Sequence, residues 1–187
     1  MDGAVMLDAA LGRVQVALID ALPWLDAAFG RAQKIIRTVG EKRYTVPAVY
    51  CGDWPGRAGK NDYIEVSPDA KIGNFTFFEV SDPVTIEPDR YVSRYSAPVS
   101  LILWVDLRTI EEGRIARNTE QLKAEVMRVL NSPEAGRLTI NRAYARAENI
   151  YRGYSLDEVD NQFLIHPYWG VRFEGTIEYE EPCREEG

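Results

Sequence analysis

The segment Val99–Leu107 constrains the fold more than any other part of the sequence. Successive side chains of a β-strand point to opposite sides of the sheet, so a strand is recognised by a period of two. One face of this segment carries Val99, Leu101, Leu103, Val105 and Leu107, and the other carries Ser100, Ile102, Trp104 and Asp106. Because the second face is itself half apolar, we predict a strand at the centre of a sheet.

Two long helices are predicted from apolar residues that recur at steps of three and four. The first runs from Leu7 to Leu22 and ends before Pro23, which removes a backbone donor. The second follows the capping residue Asn118 and runs from Thr119 to Leu130. A capping box at Ser155–Glu158 predicts a third, short helix.

Shorter segments rich in β-branched and aromatic residues predict further strands. They are Tyr44–Tyr50, Tyr63–Val66, Phe75–Val80, Leu138–Ile140 and Val171–Tyr179. Pro47 indicates an edge strand or a strand entrance, and Arg172, Glu174, Thr176 and Glu178 indicate one wet face on the last strand. We expect Trp24–Gly30 to form a short helical turn, and residues 142–152 fit neither period.

The strands follow one another without intervening helices, which is typical of an α+β protein. We predict a largely antiparallel or mixed β-sheet, two main helices packed on one face and an extended β-hairpin loop. The chain has 187 residues, of which 45% are hydrophobic, and this is sufficient for one core. We expect a single domain over 1–187, with a hairpin or loop insertion at 52–98 and a flexible tail at 180–187.

Composition disfavours several classes of function. The 29 acidic and 22 basic residues give a net charge of −7, which repels nucleic acid phosphates. Cys51 and Cys183 are far apart and are expected to be reduced thiols. We predict a protein made in the cytoplasm, because there is neither a basic amino-terminal signal nor an apolar run of about 20 residues that would span a membrane.

The glycine-rich stretch 52–62 is the first candidate site. It resembles a phosphate-binding loop, but Trp54 and Asn61 stand where that motif requires Gly and Ser or Thr. We interpret the stretch as an exposed loop whose Trp54, Arg57 and Lys60 form a contact surface, since Trp and Arg are favoured at interfaces.

His166 is the only histidine and the second candidate. An isolated histidine beside aromatic residues and a proline is more often a packed or capping group than a general base. The acidic pairs lie in predicted turns, a helix terminus and the tail, and no metal-binding motif is present. We therefore predict no enzyme activity, cofactor or metal. Two alternatives stay open: an enzyme that uses His166 with carboxylates, and a carbohydrate-binding module built on Tyr144, Tyr151, Tyr154, Tyr168 and Trp169.

The order of these elements resembles the tail-terminator and tail-completion proteins of tailed phages and prophages. The matching pieces are Leu7–Leu22, Val99–Val105, Thr119–Leu130 and the ending Trp169–Cys183. The resemblance implies a structural subunit of a ring, commonly a hexamer, which joins the tail tube to head and neck proteins in the virion. DNA would pass through the ring without specific binding, and an acidic lumen suits that role.

The charge is polarised along the sequence, which suits a ring built from identical subunits. Residues 31–60 are mainly basic, whereas the last strand and the residues after it are mainly acidic. Head-to-tail contacts could therefore join the basic segment of one subunit to the acidic ending of the next. We expect Arg172, Glu174 and Glu178 to lie at such an interface.

Overall fold

A computed structural model of the chain describes residues 6–50, 63–68, 71–89, 92–110, 119–155 and 164–181. Within these ranges the chain forms three α-helices and eight β-strands. The helices are α1 (Leu7–Ala21), α2 (Thr119–Leu130) and α3 (Ala147–Ile150). The strands are β1 (Ala27–Val39), β2 (Lys42–Tyr50), β3 (Tyr63–Glu65), β4 (Phe75–Val80), β5 (Thr85–Glu87), β6 (Arg94–Asp106), β7 (Leu138–Tyr144) and β8 (Tyr168–Glu180).

The strands form one mixed sheet in the order β3-β2-β1-β4-β6-β8-β7, with β5 paired to β6. The β1–β4 pair is parallel, and the other pairs are antiparallel. The predicted α+β class with a mixed sheet is therefore confirmed. Strand β6 pairs with both β4 and β8, as expected for the central strand.

Strand β1 belongs to two parts of the sheet. Its first residues pair with β4, whereas Ala32–Val39 pair with β2. The register with β4 shifts between Ala28 and Arg31, and such irregularities bend a strand and increase its twist.

Two hydrophobic clusters cover the two faces of the main sheet. On one face α1 and α2 pack against apolar side chains of the central strands, among them Leu101, Leu103 and Phe173. On the other face Ile102 and Trp104 pack with residues of β1, β2 and α3. Residues of β2 reach β6 although two strands separate them in the sheet, so the sheet curls back over its own face.

Asn74 fixes the connection between α1 and β1. Its side chain is buried, donates hydrogen bonds to Trp24 O (2.7 Å) and Thr109 Oγ1 (2.8 Å), and accepts one from the backbone N–H of Asp106 (2.8 Å). Its backbone N–H donates to Asp26 Oδ2 at 2.7 Å. These bonds hold the residues before β1 against the start of β4 and the end of β6.

Several predicted elements agree closely with the structure. The predicted bounds of α2 and β4 are those observed, and α1 ends one residue before the predicted Leu22. The predicted helical turn at Trp24–Gly30 is wrong, because β1 already begins at Ala27. The predicted hairpin or loop insertion at 52–98 contains β4, which lies between β1 and β6, so this part of the range belongs to the central sheet. Residues 52–62, 69–70 and 90–91 lie outside the described residues.

The end of the chain departs from the prediction in two ways. Residues 138–144 form β7, and part of the ambiguous stretch after it forms α3. Glu180 is not part of a flexible tail, because it ends β8 and pairs with Arg137 at 2.6 Å. The predicted helix after Ser155 and residues 182–187 lie outside the described residues.

Candidate functional site

The structure separates the residues that the sequence assigned to an interaction surface. Trp54, Arg57 and Lys60 lie outside the described residues. Glu178 is exposed on β8, as predicted. Arg172 is only 3% exposed, so its assignment to a surface contact and to a wet strand face is wrong. The reason is that the segment after α3 covers the middle of β8 and stops short of Glu178.

Arg172 is the centre of a buried polar cluster. Its guanidinium pairs with the carboxylates of Glu79 on β4 and Glu174 on β8, with 3.1 Å between Arg172 Nε and Glu174 Oε1. It also donates to Ser100 Oγ at 2.9 Å and to Ile150 O at 3.4 Å. Three neighbouring strands and α3 are therefore joined through one side chain.

Two tyrosines of the same region complete this cluster. Within the described residues, the hydroxyls of Tyr151 and Tyr154 and the Oε1 atom of Glu79 have no hydrogen-bond partner. Burial raises the pKa of Tyr151 well above its ordinary value. Burial, and then the nearby negative charge of Glu79, raise the pKa of Tyr154. Both phenols therefore stay protonated near neutral pH.

The buried cluster serves to hold the fold together. The Arg172 guanidinium binds both carboxylates and the Ser100 hydroxyl, and none of these residues lines either of the two clefts described below. Tyr151 and Tyr154 pack beside Phe77, with ring centroids 6.3 and 6.4 Å away. Contacts with other molecules therefore depend on the outer surface of the protein.

The most exposed regular structure is the tip of the β1–β2 hairpin. Eight consecutive residues, Ile36–Arg43, are exposed, and we call this segment the hairpin tip. Val39 pairs with Lys42, so a two-residue loop of Gly40 and Glu41 joins the strands, and Gly40 has a positive φ of 61°. Glycine adopts that conformation without steric cost.

The hairpin tip combines apolar and basic side chains. Ile36 and Val39 are 65% and 56% exposed, which is unusual for side chains of this type. Arg37, Lys42 and Arg43 against Glu41 give the tip a net charge of +2 (3 − 1). Arg37 also pairs with Glu65 at 3.0 Å and lies over the Tyr44 ring, which braces the base of the tip.

A cleft of about 870 Å³ lies between α1 and the first part of β1, and we call it the α1 cleft. Val16 and Ile19 of α1 line it and are 61% and 40% exposed. The exposed rings of Tyr50 and Tyr63, which meet edge to face, form its far side. A second cleft of similar volume lies between α1 and α2 and shares Asp8, Gly12, Val16 and Asp20 with the first.

The α1 cleft is acidic. Its charged lining residues are Asp8, Asp20, Asp26 and Arg31, so the net charge of the lining is −2 (1 − 3). Asp8 lies 3.9 Å from Arg31, which partly offsets one of the acids. The arrangement suits a ligand that is both apolar and basic.

The structure gives no support to the alternative sites. His166 is exposed and lines neither cleft, and no three His, Cys, Asp or Glu residues in the described ranges are placed to hold a metal. The candidate sugar-binding rings do not form an exposed row. Tyr151 is buried, and Tyr168 stacks on Trp104 at 5.4 Å.

Sequence reasoning missed both the hairpin tip and the α1 cleft. A signal for the hairpin was present, because the β-branched residues of 35–39 and 45–46 flank Gly40. Because residues 31–43 contain five basic residues, they were interpreted as a charged segment, and no strand was predicted before Tyr44. No local signal marks the cleft, since α1 and Tyr63 are far apart in the sequence.

The chain was also compared with known proteins. No protein-family model matches the sequence, and no curated protein matches it. None of the helices in the described part of the chain combines the length and the apolar character needed to cross a bilayer.

Proposed function

We propose that this chain is a structural subunit of a phage-like tail, comparable to tail-terminator or tail-completion proteins, and that it assembles into a ring at the head–tail junction. The observation that carries the proposal is the hairpin tip. An exposed strand pair with large apolar side chains is a liability for a protein that stays alone, and a contact surface for one that assembles.

The form of the two outer surfaces supports assembly over catalysis. The hairpin tip projects and is basic, whereas the α1 cleft is concave and acidic. The carboxylates of Glu79 and Glu174 pair with Arg172 in the interior and line neither cleft. The acids that do line the α1 cleft, Asp8, Asp20 and Asp26, are opposite in charge to the hairpin tip, as expected for a contact between subunits.

The first test is the mass of the purified chain in solution. We expect light scattering or native mass spectrometry to give a multiple of 21.2 kDa at low salt. The multiple should decrease between about 0.05 M and about 0.5 M salt, because ions screen contacts between exposed charges. A monomer at high protein concentration that does not respond to salt would contradict the proposal.

The second test addresses the role in a tail. Electron microscopy of the assembled form should show a closed ring with an opening wide enough for duplex DNA. Genes for capsid and tape-measure proteins beside the coding gene would support the same role. An open filament, or a compact assembly without a channel, would rule out a ring at the head–tail junction.

A further inference from the structure

We propose that the hairpin tip of one subunit inserts into the α1 cleft of the next subunit. This inference rests on the proposed ring assembly and names the surfaces that build it. The occupant of the cleft is therefore a second copy of this chain, and each copy supplies one tip and one cleft.

A subunit cannot fill its own cleft with its own tip. Ala27–Arg31 line the cleft, and β1 runs from there to the tip as a continuous strand. Strands rise about 3.3 Å per residue, so Val39 lies roughly 20 Å along β1 from Gln33, the last cleft residue of that strand. Pairing with β2 over Ala32–Val39 prevents β1 from folding back.

The two surfaces are complementary in charge and in apolar character. The hairpin tip has a net charge of +2 and exposes Ile36 and Val39. The lining of the α1 cleft has a net charge of −2 and exposes Val16 and Ile19. Insertion would place apolar side chains against one another and leave the charges at the rim, which is the usual anatomy of a protein interface.

Contact between two different surfaces of identical subunits is heterologous. Such contacts form closed rings when the rotation between neighbours closes, and filaments when it does not. The tip and the cleft lie at opposite ends of β1, so one strand connects the two contact surfaces of a subunit. The acidic ending of the last strand is then not required as the partner of the basic segment.

The inference is tested with two charge-reversal variants. The tip variant carries Lys42→Glu and Arg43→Glu, and the cleft variant carries Asp8→Lys and Asp20→Lys. All four positions are exposed, so we expect both variants to keep the wild-type circular dichroism spectrum. Because Asp8→Lys removes the exposed pair with Arg31 and an acid from the first turn of α1, the melting temperature of the cleft variant should fall by about 2–4 °C. Each variant alone places like charges at every contact, and we expect at least a tenfold loss of self-association.

Mixing the two variants in equal amounts gives the decisive measurement. In an alternating assembly the acidic tip meets the basic cleft, and the unchanged basic tip of the cleft variant meets the unchanged acidic cleft of the tip variant. We expect the mixture to recover the wild-type mass. Recovery by mixing cannot be explained by misfolding of either variant.

Matched controls use the same changes elsewhere on the exposed surface. Arg142→Glu with Arg146→Glu corresponds to the tip variant, and Glu87→Lys with Glu148→Lys corresponds to the cleft variant. We expect both controls to assemble like the wild type. If they lose assembly as strongly as the test variants, net charge rather than the proposed contact is responsible, and the inference fails.

Other outcomes separate this inference from the proposed function. A wild-type chain that assembles, with tip and cleft variants that assemble equally well, would refute the contact and leave the ring intact. A further variant, Trp54→Ala, tests whether another surface carries the contact. Loss of assembly in Trp54→Ala but not in the tip variant would also overturn the inference. A monomeric wild type would instead refute the ring itself.

Discussion

The two faces of the central sheet are buried by different means. On the face covered by α1 and α2, the side chains of β6 and β8 are apolar, as with Leu101 and Phe173. On the opposite face the same strands contribute Ser100 and Arg172, which form the buried polar cluster with Glu79. Adjacent residues of one strand, Arg172 and Phe173, thus belong to unlike environments.

The two kinds of burial differ in how precisely they position the segment that covers each face. Apolar burial is non-directional, so two helices with complementary stripes are sufficient cover. The opposite face is covered by the curled sheet and the short segment that follows α3. In that segment Ser155 N donates to Thr45 O at 2.8 Å, and Arg172 donates to Ile150 O. Directional bonds thus add to the packing of Ile150, Tyr151 and Tyr154 against this face.

The largest effect is expected from Arg172→Ala. This change leaves the buried carboxylate of Glu79 without its cation, whereas Glu174 keeps its pair with Arg152. Breaking a buried ion pair from one side typically costs about 3–5 kcal/mol. Urea unfolding followed by circular dichroism should show a loss of that size. Arg142→Ala, at an exposed position, is the control and should change stability by no more than about 0.5 kcal/mol.

A double variant distinguishes charge from volume. Arg172→Met alone should be nearly as costly as Arg172→Ala, since it leaves Glu79 unpaired. Glu79→Leu with Arg172→Met replaces the pair with apolar side chains and should recover most of the loss. If the single Met variant were as stable as the wild type, the polar cluster would not be held together by its charges.

On the helix-covered face, Leu101→Ala is expected to cost about 3 kcal/mol. The loss comes from transfer of the side chain and from the cavity that remains. Leu101→Met nearly conserves volume and should cost less than about 1.5 kcal/mol. The same unfolding measurement applies, and the contrast with Arg172→Met is the informative result. Equal losses for the two Met variants would show that the two faces do not differ in the way described.

High pH is expected to weaken the fold through its buried tyrosines. Tyr151 and Tyr154 have pKa values above 10.0 in the folded state, whereas unfolded tyrosines titrate near 10.0. Below pH 10 both phenols are protonated in the folded and in the unfolded state, so their contribution to the free energy of unfolding is fully present. Above that pH the unfolded state loses protons that the folded state retains, so the free energy of unfolding must fall.

Tyrosinate absorbance recorded together with circular dichroism checks this pH dependence. Tyr151 and Tyr154 should ionise only as the fold is lost, and Tyr151→Phe with Tyr154→Phe should reduce that late step. Tyr179, whose pKa is also raised by burial, remains in this variant. Tyr63→Phe, at an exposed position, is the control and should leave the late step unchanged. Ionisation of all tyrosines while the fold persists would contradict the burial of these phenols.

The sequence predicted the apolar face far better than the polar one. Alternation in Val99–Leu107 and the stripes of α1 and α2 are local patterns, and all three elements were predicted within a few residues. Arg172 was predicted to be exposed because it alternates with the apolar Phe173. The same alternation occurs when a distant segment of the chain buries the polar residue, so the pattern does not distinguish the two cases. Its partner Glu79 lies 93 residues away in the sequence, so no local pattern could pair them.

The candidate interaction surface was predicted only in part. A basic contact segment within residues 31–60 was expected, with Trp54, Arg57 and Lys60 as the predicted contact residues. These three residues lie outside the described residues. The hairpin tip lies earlier, at Ile36–Arg43. The α1 cleft depends on how the sheet curls, and that curl follows from the bend in β1 and not from any one residue type.

The smallest effect is expected for the ion pair of Asp106 and Arg108, which lies at the end of β6 and is partly exposed to solvent. The hydrogen bond from the Arg108 side chain, 2.9 Å from Asp106 Oδ1, lowers the pKa of Asp106 below its ordinary value of 3.8. A lowered pKa stabilises the fold at pH values above 3.8, and this contribution is lost as the pH falls through the folded-state value. NMR titration of the carboxyl should show the pKa moving upward in Arg108→Gln. Because both groups touch water, the accompanying change in stability should be small beside that of Arg172→Ala, whose charges have no water to replace their partners.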